Sequence, residues 1–407
     1  MLADLPAHSL TALDLEFQLS IGADGRALSA LLARLSSLQQ LRLSTVDGCV
    51  SIPGSCVAGI ASLSQLTQLE LAGSWKEVGE PLQQQLQQPL PLRRLKLRLP
   101  LPPRLNMSSL TSLQEFEMSS ELRQGSVLPA QLQRLRLHDC SATSGVTALQ
   151  QLQQLSLGVH FEDREQLLGL AQLPRLRLLA LNYSAAAPAA ATAPAWQQLP
   201  QLQELSVVFQ YVDFPRAQQM EGILAGIMAC TQLTKLELAV GHKLGGQAAD
   251  GAADDDADAG RVFPIAVCDS LADLARLRSL TIPMPSWMVP ADALALTALT
   301  ALTHLDLSGA GNGVDDLVAS ALACSLKQLR HLDLTFCQLE HMACMAAISH
   351  LSELTFLGLI RVGEAYERAL MQLTNLPCLQ RLSLSQDVGV SEDVIGGIYA
   401  AMRQRRR

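Results

Sequence analysis

Leucine returns along this chain in the spacing L-x-x-L-x-L. The form is strict in "LQQLRL" from Leu38, "LTQLEL" from Leu66, "LRRLKL" from Leu92, "LQRLRL" from Leu132, "LQQLSL" from Leu152 and "LRLLAL" from Leu176. It is strict again in "LTKLEL" from Leu233, "LTHLDL" from Leu302, "LRHLDL" from Leu329, "LTFLGL" from Leu354 and "LQRLSL" from Leu379. Looser copies begin at Leu10, Leu113, Leu202 and Leu277, which makes fifteen. Most steps between copies are 24 to 28 residues, with a run of 21, 19 and 20 from Leu92 to Leu152. The alternation x-L-x-L-x predicts a short strand with leucine on one face and variable residues on the other. Helical spacing follows several strands, as in 26–35, 163–173, 314–326 and 364–373. Strand, turn and returning helix predict a parallel sheet with helices outside it. The few leucines of one copy cannot offset the ordering of its backbone, so neighbouring copies must bury one another.

Composition agrees with a repeat built on one residue type. Apolar residues make up 49% of the 407 and aromatics only 4%. The net charge of -8 gives no reason to expect a nucleic-acid partner from bulk electrostatics. No stretch approaches the roughly 20 apolar residues of a membrane span. The beginning, "MLADLPAHSLTALDLEF", has no basic start and no long apolar core, so no secretion signal is expected. Nine cysteines without a regular pairing pattern then favour a reducing compartment, the cytoplasm.

The fifteen copies, from about Leu10 to Leu384, resemble the leucine-rich repeat family. The resemblance implies an α/β solenoid with a parallel sheet on its concave face and helices and turns on its convex face. It also implies a concave face that binds a protein. The chain is read as a non-catalytic scaffold, with no cofactor or metal expected, and is expected to be monomeric by itself. Residues 302–339 are similar to the cysteine-containing subtype found in F-box substrate receptors. The chain departs from that pattern in two ways. The ladder position eight residues after the first Leu holds Cys only at Cys140 and Cys337; elsewhere it is Val46, Ser74, Pro100, Glu121, His160 or others. No F-box is expected before the repeats, so a substrate-recognition role in an SCF-type ubiquitin ligase would need an adaptor in trans or a further N-terminal segment.

Two segments interrupt the spacing. The step from Leu233 to Leu277 is 44 residues and contains "GGQAADGAADDDADAG" (245–260), read as a disordered acidic insertion. Its "DDDADAG" puts Gly at the seventh position and Ile265 at the twelfth, which does not fit a calcium loop. "AAAPAAATAPA" (185–195) reads as a flexible loop. The solenoid is thus expected over 1–390, and residues 391–407 as a capping helix and basic tail. Ser391 would cap that helix, Ile395, Ile398 and Met402 would share a face, and the Arg cluster suits its C-terminus. A nuclear address is the other reading of those arginines.

Candidate sites lie at the concave positions, two, four and six residues after the first Leu. His304/Asp306 and His331/Asp333 recur 27 residues apart and stack because the repeat stacks them. Their chemical reading is a face that binds a divalent metal or hydrolyses a substrate. The bland reading is an ordinary strand face with no pocket to exclude water. Cys337, His341, Cys344 and His350 have zinc-ligand chemistry, but "HMACMAAISHL" reads equally as a helix with an Ala/Cys/Met inner face. Arg94, Lys96 and Arg98 are expected beside Glu115 and Glu117, which in turn lie beside Arg134, Arg136 and His138. These form either a cross-strand charge ladder or a recognition patch. Phe356 and Ile360 are a second, apolar candidate. Over all the concave positions eight basic residues face nine acidic ones, so no continuous track for a nucleic-acid backbone is expected.

Overall fold

The computed structural model describes residues 9–17, 25–45, 51–99, 104–123, 125–140, 145–159, 168–183, 193–194, 196–209, 217–240, 266–283, 288–339, 343–359, 367–384 and 392–404. The acidic insertion 245–260 and most of the loop 185–195 lie outside them, as do Ser391, His341 and Ile360. The chain forms two compact units, Met1–Asn182 and Tyr183–Arg407.

In the first unit every leucine copy becomes a strand. They are Ala12–Phe17, Gln40–Thr45, Gln68–Ala72, Arg94–Arg98, Glu115–Glu121, Arg134–Cys140, Gln154–Val159 and Leu178–Tyr183, hydrogen-bonded in chain order. The strands pair in parallel and place leucine beside leucine: Leu41 beside Leu69, Leu69 beside Leu95, Leu135 beside Leu155. The entry to each strand is fixed by one carbonyl that accepts two successive N–H groups from the next copy. Gln39 O accepts from Thr67 N at 2.8 Å and Gln68 N at 3.0 Å, and Arg93 O accepts from Gln114 N at 2.9 Å and Glu115 N at 3.0 Å. A register set this way at every step keeps one face leucine and the other face variable.

The connections depend on the residues available. The longer copies fold helix or 3-10 turns at Gly25–Ala33, Gly54–Ser62 and Gly79–Leu86. Gly59 lets two of these approach, since a Cβ there would sit 2.3 Å from Ser29 O. From Leu92 to Leu152 the steps are too short for a helix and its turns. The described parts of those returns are turns, with an isolated parallel bridge between Asn106 and Val127. The leucines facing them are buried throughout, among them Leu95, Leu97, Leu135, Leu137, Leu155 and Leu157.

The second unit repeats the plan in Glu204–Phe209, Lys235–Val240, Ser279–Thr281, His304–Asp306, His331–Leu334, Phe356–Leu359 and Arg381–Leu384. Its returns are more helical. The 31-residue step from Leu202 holds the helix Ala217–Met228, and the later steps hold Val267–Leu271, Asp316–Ser325, Met345–Ile348 and Glu367–Met371. Helix Asp316–Ser325 starts on Asp315, whose Oδ1 accepts from Val318 N at 2.8 Å. A last helix, Glu392–Gln404, buries Ile398 and Met402. Each unit is thus a leucine-rich, parallel-strand solenoid with helices and turns behind the sheet.

Candidate functional site

In the first unit the variable face of the sheet lines an open cleft of about 690 Å³. It runs from Ala12 and Asp14 on the first strand to Leu178 on the eighth. The strand register sorts its side chains into rows. The row formed by the second variable position reads Asp14, Arg42, Glu70, Lys96, Glu117, Arg136 and Ser156, so charge alternates in sign over six strands. Beside it runs Gln40, Gln68, Arg94, Glu115, Arg134 and Gln154.

Most of these charges are taken up by one another. Glu115 is held from both sides, by Arg94 Nε on Oε2 at 2.6 Å and by Arg134 Nη1 on Oε1 at 2.7 Å. The hydrogen bond from Arg94 to Glu115 raises the Arg94 pKa further above its ordinary value. Glu117 Oε1 faces Lys96 Nζ at 3.3 Å, Arg98 Nη2 at 3.6 Å and His138 Nε2 at 3.8 Å. Glu70 Oε1 faces Arg42 Nε at 3.8 Å and Arg98 Nη1 at 3.9 Å, and Asp14 faces Arg42 at 3.7 Å. Each pair is exposed or half-exposed and adds less than about 1 kcal/mol alone. Together they hold long side chains in a fixed pattern. Arg136 is the exception: it is exposed and has no ion pair or hydrogen bond from its side chain among the described residues.

Sequence reasoning singled out the three central strands and missed Asp14, Arg42 and Glu70. The signal was present, because these occupy the same second variable position in the copies from Leu10, Leu38 and Leu66. Which cation would be left unpaired was not legible, since that depends on side-chain reach across strands.

In the second unit the His/Asp pairs separate into two kinds of work. His304 and His331 are cross-strand partners whose rings stack at 3.9 Å and 19°, and His331 stacks on Phe356 at 4.1 Å and 5°. Arg381 closes the column, with its guanidinium carbon 5.8 Å from the Phe356 ring centre. The aspartates turn to their own backbones. Asp306 Oδ1 accepts from Ser308 N at 2.9 Å, and Asp333 Oδ1 accepts from Thr335 N at 3.0 Å, which bends the chain out of each strand. A Cβ on Gly358, beside Asp333, would meet its Oδ1 at 2.3 Å, so glycine leaves that carboxylate its place. Phe356 belongs to the ring column, and its proposed companion Ile360 lies outside the described residues.

Burial lowers the pKa of both histidines. For His304 the Lys235 charge adds to this while Asp306 and Asp333 oppose it; for His331 the main addition comes from His304. A base with a lowered folded pKa takes up protons in the unfolded state first. Its stabilisation is therefore complete above the unfolded value near 6.5 and falls as pH drops below it. The second unit is expected to lose melting temperature between pH 7.5 and 5.5, and the double variant His304→Phe/His331→Phe to lose less. Equal slopes in the two melts would mean the column does not titrate as described.

The described members of the Cys/His cluster, Cys337, Cys344 and His350, are not assembled as a ligand set, and His341 lies outside the described residues. Cys337 is buried and its Sγ donates to Leu307 O at 3.4 Å; burial pushes its pKa up to about 12. Cys344 is buried at the start of Met345–Ile348, where its N–H donates to Asp316 Oδ1 at 3.2 Å. His350 is exposed. Among the described residues no group of three or more His, Cys, Asp or Glu is placed to hold a metal ion. Among the same residues no helix is long and apolar enough to cross a membrane.

No family profile and no curated protein matches the chain in sequence. Solved structures similar to it include an internalin (inlF) from Listeria monocytogenes str. 4b F2365, at 17% identity and TM-score 0.43, covering 84% of this chain and 80% of that one. A TDR receptor matches at 13% identity and TM-score 0.42, over 94% of this chain and 60% of its own. The TLR13–ssRNA13 complex matches at 17% identity and TM-score 0.43, over 94% and 52%. The chain thus spans less than two thirds of the length of the last two.

Proposed function

We propose that the chain is a non-catalytic binding module that takes a protein partner on the variable strand face of its first unit. The observation that carries this is the charged row around the open cleft: polar side chains held in a fixed pattern, with Arg136 alone of the row's cations left without an ion pair among the described residues. Extended sheet faces of stacked repeats offer this kind of surface. The alternating sign favours a protein partner over a nucleic acid, whose evenly spaced phosphates would meet a carboxylate at every second strand. We place the module in the cytoplasm on the cysteine content of the sequence, and propose that it acts as a monomer.

The test replaces Arg94, Arg134 and Arg136 together by Gln. Reversal to Glu would crowd carboxylates around Glu115 and confuse folding with binding. Proteins retained from a native lysate by the wild type are expected to fall at least about tenfold on the triple variant, with an unchanged circular dichroism spectrum. Equal retention would remove the face from the binding surface.

A substrate-receptor role in an SCF-type ubiquitin ligase is a narrower form of the same proposal. What supports it is the likeness of residues 302–339 to the cysteine-containing subtype, with Cys337 buried at its ladder position. Co-purification of a ligase adaptor with the full chain would carry it, and a partner set without one would remove it.

A further inference from the structure

We infer that Arg136, Ser156 and Gln154 form a seat for one carboxylate side chain of the partner, an Asp or Glu in an extended segment lying in the cleft of the first unit. This rests on the protein-binding reading and adds the chemistry and position of one contact.

The charge row carries the argument. Along it Arg42 has Asp14 on one side and Glu70 on the other, and Lys96 stands between Glu70 and Glu117. Arg136 stands between Glu117 and Ser156. The alternation therefore stops one carboxylate short, and the vacant place lies above Ser156. Glu117 makes no ion pair with Arg136 among the described residues; its Oε1 faces Lys96, Arg98 and His138 instead.

The strand beyond supplies what a carboxylate needs. Ser156 and Gln154 line the cleft, and neither side chain has a hydrogen-bond partner among the described residues. A hydroxyl and an amide N–H are donors, and with a guanidinium they can satisfy both carboxylate oxygens. On the next strand the facing residues are Leu178 and Ala180, which carry no charge. Glu117 is two strands away, about 10 Å at ordinary strand spacing.

The same pattern selects the occupant. Among the described residues that line the cleft only one guanidinium is free, since Arg94 and Arg134 are committed to Glu115 and Arg42 stands between Asp14 and Glu70. A ligand with a run of anions would lay its next charges over Glu115 and Glu117. An isolated acidic side chain, with neutral or basic neighbours towards Glu117, fits without that repulsion.

The test is a random twelve-residue display library selected against the full chain and against Arg136→Gln. Peptides selected on the wild type are expected to carry Asp or Glu at one position, and that preference is expected to vanish on the variant. Binding of the best peptide, read by fluorescence anisotropy, should weaken about tenfold or more when its acid is changed to the amide. The same change should matter little on Arg136→Gln, while Arg330→Gln, in the second unit, should behave as wild type. The seat is overturned if no acidic position is selected, if the preference survives in Arg136→Gln, or if a phosphoserine form binds more than about tenfold tighter than the Glu form, which would make it a phosphate site. Failure here with continued loss of partner in the triple variant would leave the face reading standing and remove only the seat.

Discussion

Leu332→Ala is expected to destabilise the second unit by about 2–5 kcal/mol, the range for emptying a leucine site in a packed core. Leu332 is 1% exposed and lies between Leu305 and Leu357 in a column that runs across neighbouring strands. The backbones on both sides are held by paired hydrogen bonds, with Thr303 O accepting from Arg330 N and His331 N, and Arg330 O from Thr355 N and Phe356 N. The column cannot close over the lost atoms without breaking that register, so the cavity stays open. Leu13→Ala is the contrast. Its strand ends the first unit's sheet and Leu13 is only half-buried, so the expected loss is about 1 kcal/mol or less. Urea titrations of both variants check the pair. Equal, small losses would mean that the repeated leucines do not form one stacked core.

Asp292→Ala should be nearly as damaging, at about 2–4 kcal/mol, although no apolar contact is lost. Asp292 is one of only two buried polar residues among those described. Its Oδ2 accepts from Cys268 N and its Oδ1 from Asp269 N, each at 3.0 Å. These are the first N–H groups of the helix Val267–Leu271, which has no side-chain cap of its own. The carboxylate of the following repeat, on Pro290–Ala293, therefore caps the helix of the preceding one and ties the two returns together. Alanine would leave the buried Cys268 N–H and the part-buried Asp269 N–H without acceptors, whereas Asn keeps one acceptor oxygen and should recover about half of the loss. Thermal melts give the size of the effect, and faster exchange of the Cys268 and Asp269 amides gives its place. A wild-type melting curve for Asp292→Ala would contradict the capping role.

The strands were legible because their signal is a spacing, and spacing survives in one dimension. Each of the fifteen copies, down to "LQEFEM" from Leu113 and "LRSLTI" from Leu277, sits on a strand, and in all but the first and last the second and third apolar residues are both buried. The returns were half legible. The 26–35 pattern becomes the helix Gly25–Ala33, but 163–173 has only the 3-10 turn Gly169–Gln172 in its described part. Cross-repeat ties such as Asp292 to Cys268 N leave no periodic trace, because they join two loops of unlike sequence.

The site was legible as a set of positions and illegible as a set of bonds. Arg94, Lys96, Arg98 and Arg134 read as a basic surplus, yet each is engaged with Glu70, Glu115 or Glu117. Two repeats of "HLDL" suggested four like groups. The structure stacks the imidazoles and turns the carboxylates onto Ser308 and Thr335, because neighbouring rings attract while each aspartate finds an N–H two residues on.

Arginine-selective labelling of the chain with and without its co-purified partner bears most directly on the central claim. With the partner bound, Arg42, Arg98 and Arg136 should be shielded from the reagent, while Arg26 and Arg34, exposed on the helical side of the same unit, should react as in the free chain. Shielding of Arg26 and Arg34 with Arg136 left reactive would place the partner on the opposite side and contradict the account.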